Sequence, residues 1–147
     1  MRAEQFEPLP PEVADHWSGY PDWGEIWFPT IVGIELEEVR LGYCRLRLPF
    51  RPELNQPAGI VHGGATAALI DTVVVPAVGT SYDPDWTYVT VTMNINYTGA
   101  IVGEDAIAEG WVTKRGRSIA FLEAAVVTAS GTPCANATLT YQARPPR

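Results

Sequence analysis

The sequence predicts an α+β domain in which an antiparallel sheet wraps around one buried helix, and three features carry that prediction. From about Gly63 to Val78 the chain is apolar on every side, and Asp71 is its only formal charge. On both sides of this stretch, residues alternate between apolar and polar with the period of half-buried strands. The strands that follow it are joined by short turns, as neighbours in one sheet are.

Taken in order, residues 1–30 are rich in proline and aromatics: Trp17, Trp23 and Trp27 lie close together with Tyr20 and Phe28. They read as a short helix and loops that pack aromatics onto a domain formed by residues 31–147; a lid over a binding pocket is the alternative. Two strands are expected at about 33–40 and 43–50, turning at Leu41-Gly42. In the second, Tyr43, Arg45, Arg47 and Pro49 alternate with Cys44, Leu46, Leu48 and Phe50. Residues 51–57 read as a loop.

The helix is expected over 63–78. Pro76 removes the N–H that would bond the Thr72 carbonyl, so a kink or an early end is expected there. Further on, Val89, Val91, Met93, Ile95 and Tyr97 alternate with Thr90, Thr92, Asn94 and Asn96, which reads as a strand with the first set on a core. Three more strands are expected at about 104–114, 117–129 and 133–142, separated by Arg115-Gly116 and Ser130-Gly131. There are no repeats and no low-complexity tracts.

Composition narrows the function. With 46% hydrophobic and 18% charged residues, the 147-residue chain is globular rather than disordered. A net charge of −7 argues against a nucleic-acid partner. Cys44 and Cys134 are too few for a disulfide framework and too isolated for a metal site. The N-terminus lacks the apolar core of a signal peptide, and no uncharged stretch suits a bilayer, so a soluble, cytoplasmic protein without a membrane partner is expected.

A carboxylate on an apolar helix costs free energy unless a partner or a task keeps it there. At the start of the same helix, Gly63 and Gly64 let another molecule approach N–H groups that have no partner inside the helix and carry partial positive charge. Such a helix start suits a polarised carbonyl oxygen or an oxyanion, and Asp71 is a candidate nucleophile or general base for attack at that carbonyl. Each part has a plainer reading. His62 could simply be hydrogen-bonded near the helix start, Gly63-Gly64 a tight junction, and Asp71 a buried acid capping a loop; the three together in this order favour a site.

Spacing adds a constraint. Gly63 and Asp71 are about 12 Å apart along one helix axis, so the two cannot both touch one carbonyl carbon. If both act on it, they come from two copies of the chain with helices antiparallel across a twofold axis, which makes a homodimer the functional unit.

Residues Gln56-Pro57-x-Gly59-x-Val61-His62-Gly63-Gly64-x6-Asp71-Thr72 resemble the hotdog-fold acyl-CoA thioesterases, in particular the phenylacetate-pathway, PaaI-like type. Gly33-Ile34-Glu35-Leu36 looks like the family's first strand, Met93-Asn94-Ile95-Asn96-Tyr97 like its strand after the helix, and Lys114-Arg115-Gly116-Arg117-Ser118 like its basic turn. The resemblance implies a hydrolase that cleaves an acyl-CoA thioester to free acid and coenzyme A, with no metal and no cofactor beyond the coenzyme A of its substrate. It implies Asp71 as nucleophile or base and the Gly63 N–H as the group polarising the carbonyl. An amide in the preceding loop places substrate or water; Gln56 has the family's spacing from Gly63, and Asn55 is out of register by one.

His62 would support the loop or the thiolate side, and Thr90 would supply a strand hydroxyl, with Thr92 next on the same face. Gly64 and Thr72 complete the motif against the substrate. Lys114, Arg115 and Arg117 would meet phosphates, helped by Ser118 and the Gly116 N–H. A homotetramer is the assembly expected. Two rival readings are a non-catalytic acyl-CoA-binding module and an enoyl-thioester hydratase or dehydratase of the same fold.

Overall fold

The structure, a computed structural model, describes residues 2–147. After a 3-10 turn at Arg2–Gln5 come the short helices α1 (Pro11–Ser18) and α2 (Phe28–Val32), strands β1 (Glu35–Arg40) and β2 (Tyr43–Leu48), and the long helix α3 (Gly63–Gly79). Strands β3 (Thr87–Tyr97), β4 (Ala106–Arg115), β5 (Ile119–Thr128) and β6 (Pro133–Arg144) complete the chain. All six strands form one antiparallel sheet in the order β1-β2-β4-β5-β6-β3. This is the α+β layout expected, with strand ends displaced by a few residues. Gly33, expected in the first strand, instead caps α2 at φ 89.

Helix α3 lies against the concave face because that face is built of small residues. Ala106, Ala108, Gly110, Ala124 and Ala137 are all buried there with Leu46 and Leu122. At Gly110 a Cβ would come within 2.9 Å of Val73 Cγ1 and 3.0 Å of Val74 Cγ1, so glycine sets how closely the helix approaches. Leu69, Ile70, Val73, Val74, Ala77 and Val78 are the buried residues on the helix side.

The helix does not end at Pro76 but runs on to Gly79. The Thr72 carbonyl, which has lost its helical donor, accepts a hydrogen bond at 2.8 Å from the Tyr20 hydroxyl. The N-terminal segment therefore supplies the donor that proline removes, and it anchors itself with the buried Trp17 and Tyr20. Gly79 has no side chain where the Trp17 ring packs; a Cβ there would lie 2.4 Å from Trp17 Cζ2.

The alternation expected in β3 holds only in part. Met93 and Ile95 pack on the core, but the β3–β6 register shifts between Thr90 and Thr92, leaving Val91 as a bulge. Direct partners share a face, so Thr90 opposite the buried Tyr141 faces the helix, while Thr92 opposite Thr140 faces away. Val89 and Val91, expected on the core, are 49% and 55% exposed. One extra residue moved half the strand to the other face.

Candidate active site

Helix α3 is not covered all round, as its composition suggested. Gly64 is exposed and Ala67, Ala68, Asp71 and Val75 are half-buried, a stripe along one side of the helix. Asp71 sits in the middle of this stripe. Its Oδ1 accepts hydrogen bonds from the Tyr141 hydroxyl at 2.6 Å and the Thr90 hydroxyl at 2.8 Å. The Tyr141 hydroxyl also lies 3.0 Å from the Asp71 carbonyl oxygen, so side chain and backbone are fixed together. Oδ2 has no partner among the described residues.

Tyr141 was missed by sequence reasoning, which gave it no role beyond falling within the last strand. A signal was there: a tyrosine among alanines and a leucine on a buried face needs an acceptor for its hydroxyl, and a carboxylate in an apolar helix needs a donor. Burial, reinforced by the Asp71 charge and by the hydrogen bond to it, holds the Tyr141 phenol proton well above the usual tyrosine range. It therefore donates at any ordinary pH.

At the other station, His62 is the N-cap of α3, and its Nδ1 accepts from the Gly64 N–H at 2.8 Å. That satisfies one of the orphan donors of the first turn. A Cβ on Gly64 would sit 2.9 Å from the same Nδ1, so glycine there makes room for the cap. Gly64 thus spends its N–H within the chain, while the residue itself stays exposed. The Gly63 N–H makes no hydrogen bond among the described residues. The Gly63 carbonyl accepts from the Tyr97 hydroxyl at 2.9 Å, which steadies the turn. A cavity of about 460 Å³ opens here, lined by Gly63, Thr66, Tyr97, Ile60, Val61 and Cys134 among others.

The loop before the helix closes on itself. The Gln56 N–H bonds the Ile60 carbonyl at 2.8 Å, and the His62 N–H bonds the Leu54 carbonyl at 2.8 Å. Gln56 Oε1 accepts from the Ala58 N–H at 2.7 Å, which leaves its amide N–H₂ without a protein partner. Asn55 Oδ1 is buried and unpaired. Both amides remain beside the helix start, one with a free donor and one with a free acceptor.

Other expected residues are not brought together. The Thr72 hydroxyl turns back to the Ala68 carbonyl at 2.6 Å and is buried, because it lies on the covered side of α3. Thr92 is on the far face of the sheet for the reason given above. In the β4–β5 turn, the Gly116 N–H is used by the Ile119 carbonyl at 2.8 Å, so it is not free for a phosphate. The Arg115 guanidinium lies 4.4 Å over the Tyr82 ring and its Nε donates to the Ser81 carbonyl at 3.1 Å. Lys114, Arg117 and Ser118 are exposed. Among the described residues no group of three His, Cys, Asp or Glu side chains is placed to hold a metal ion.

A sheet curled about one helix, with a held carboxylate on the free side of that helix and an unpaired N–H at its start, defines a hotdog-fold domain of the hydrolase kind. The chain belongs to the thioesterase superfamily, whose family model matches residues 58–135. A relative in Halobacterium salinarum, named for an expected esterase activity, is 32% identical over 114 residues, covering 74% of this chain and 75% of its own. Among solved structures, a conserved protein of Pseudomonas aeruginosa is 26% identical with a TM-score of 0.77, over 81% of this chain and 94% of that one. The Escherichia coli PaaI protein of the phenylacetic acid degradation operon shares the fold: TM-score 0.75, 16% identity, 87% of this chain and 88% of that one. Among the described residues no helix is long and apolar enough to cross a membrane.

Proposed function

We propose that the protein hydrolyses acyl-CoA thioesters to a free acid and coenzyme A, in sites shared between the two chains of a homodimer. The observation that carries this reading is Asp71: a carboxylate on an apolar helix, held at Oδ1 by Tyr141 and Thr90 with Oδ2 free. The thioester oxygen accepts the Gly63 N–H of one chain, and Asp71 of its partner acts on the carbonyl carbon. As a base, Oδ2 takes a proton from water while the water oxygen bonds to carbon. The oxyanion gathers at the Gly63 N–H, and its collapse breaks the C–S bond and releases the thiolate, which takes up the proton. As a nucleophile, Oδ2 bonds to carbon itself, the C–S bond breaks to release the thiolate, and water hydrolyses the resulting anhydride to the acid and the free carboxylate. Gln56 orients substrate or water through its free amide N–H₂, and His62 fixes the turn that presents Gly63. Neither route calls for a metal or bound cofactor.

Two features support the dimer. The uncovered stripe of α3 is made of small residues that allow a second helix close by. Beside it, β3 is a terminal strand of 11 residues with Val89 and Val91 exposed, an apolar edge that soluble proteins cover. Dimers then pair as a tetramer through the outer sheet face, and Lys114 and Arg117 meet phosphates of coenzyme A. Two free, buried cysteines accord with the reducing cytoplasm.

Thiol release from a panel of acyl-CoA esters tests the reading, with wild type and Asp71→Asn side by side. Turnover on at least one ester that drops by about 10²–10⁴-fold in the variant is expected. Binding of the esters without any turnover would point instead to a binding module.

A further inference from the structure

A second cavity, of about 650 Å³, lies between the N-terminal segment, the C-terminal half of α3 and the start of β3. Trp17, Trp23, Tyr82, Trp86, Tyr88 and Val75 form much of its wall. Two of these connect it to the carboxylate. Val75 follows Asp71 by one turn on the uncovered stripe, about 6 Å along the axis. Tyr88 precedes Thr90 by two residues on the same face of β3, opposite Ala143 where Thr90 is opposite Tyr141. The cavity thus begins where the site ends and runs away from it toward Gly79.

Its chemistry is that of an apolar guest. Glu12 is the one lining residue with a formal charge unless His16 is protonated, and no lysine or arginine lines it, so phosphates have no place there. A cavity of about 150 Å³ already holds a benzene ring, so a two-carbon group would leave most of this space unfilled.

The wall is held with evident cost at Trp23. This residue has φ +44, a left-handed backbone that bulky side chains rarely adopt. Its N–H bonds the Gly19 carbonyl at 2.7 Å, and its indole N–H bonds the His16 carbonyl at 2.8 Å. Its ring sits 5.2–5.6 Å from those of Tyr20, His16 and Trp17. Gly19 leaves the room, since a Cβ there would meet Trp23 Cδ1 at 2.9 Å. Packing alone gives no reason to hold a tryptophan so tightly while it stays 44% exposed beside a cavity.

We propose that this cavity is the acyl chamber of the thioester site, that it takes an apolar acyl group of medium length or bearing an aryl ring, and that Trp23 sets the preference. The wall from Glu12 to Trp23 lies outside the residues matched by the family model, so this specificity belongs to the chain's own N-terminal segment. The placement rests on the hydrolase reading of Asp71.

The test uses thioether analogues of acyl-CoA, which bind but cannot be hydrolysed, titrated calorimetrically into wild type, Trp23→Ala and Val75→Phe. Wild-type affinity is expected to rise by on the order of 10²-fold from the acetyl to the octanoyl or phenylbutanoyl analogue, about fourfold for each of the three or four added methylenes expected to find apolar wall. Trp23→Ala should flatten that rise at least tenfold, and Val75→Phe, on a different element, should block the chamber mouth and flatten it further. Equal affinity for acetyl and long analogues in wild type would overturn the proposal, as would a wild-type slope in both variants. Thiol release from the matching esters is read separately: a chain-length slope in binding with no thiol release overturns the hydrolase reading and leaves the chamber standing.

Discussion

Helix α3 carries two stations, and they are built in opposite ways. At Gly63 the backbone is what the chain offers: there is no side chain, the N–H is unpaired, and the neighbouring donor is taken by His62. At Asp71 the backbone is spent in the helix and the side chain is what is offered, with one oxygen tied by Tyr141 and Thr90 and the other open. The first offers a fixed partial positive charge, the second a negative one. The two lie about 12 Å apart along the helix axis, so on the proposed reading a single chain holds two halves of two sites rather than one whole site. The two sheet edges repeat the lesson. Strand β1 is lined by Glu35, Glu37, Glu38 and Arg40 and bridged by Pro8, whereas β3 is bare and carries no formal charge.

The comparison breaks most completely at Asp71, where the Asp71→Asn loss given above is the largest expected effect. At the other station, Gly63→Pro replaces the N–H with a ring carbon yet keeps the helix start, since proline suits the first turn of a helix; it should lower turnover by about 10²–10³-fold while leaving thermal unfolding near that of wild type. A smaller effect is expected one step back from the carboxylate. Tyr141→Phe should lower kcat about tenfold with KM little changed, and Thr90→Ala less, because each removes one of two bonds to an oxygen that is not the working one. A larger effect on KM than on kcat would mean that Tyr141 packs against substrate instead of holding Asp71.

The smallest effect is on stability against pH. Burial raises the phenols of Tyr20, Tyr43 and Tyr141 above their ordinary value. The unfolded chain loses these protons from about pH 10, while the folded chain keeps them, so their contribution is whole below that pH and fades above it. Thermal unfolding followed from pH 8 to 11 should show the midpoint falling beyond about pH 10, less steeply in Tyr141→Phe. A midpoint that stays level to pH 11 would contradict this.

Much of this molecule is legible in its sequence, for reasons that differ from part to part. Helix α3 is readable because 17 residues with one formal charge admit few other structures, and Asp71 stands out for the same reason. The strands are readable from alternation, but alternation carries no record of a bulge. The slip at Val91 therefore hid that Thr90 reaches Asp71 and that Thr92 does not. Tyr141 was hidden by distance, 70 residues away on the last strand. Pro76 announces a missing donor, yet nothing local says that Tyr20 replaces it. At Gly64, Gly116 and Arg115 the intrachain bonds could not be read from the motif, because a motif gives residue types, while the hydrogen bonds already made within the chain decide which groups remain free.

The claim that each site is completed by two chains has a direct test. Asp71→Asn and Gly63→Pro chains, co-expressed with different tags and purified as the mixed dimer, hold one intact site and one doubly damaged site if the stations meet across a twofold axis. Thiol release from that mixed dimer should return to about half the wild-type rate, although each parent homodimer is nearly inactive. A mixed dimer as inactive as its parents would show that both stations act within one chain or that one of them does not act, and would contradict the account.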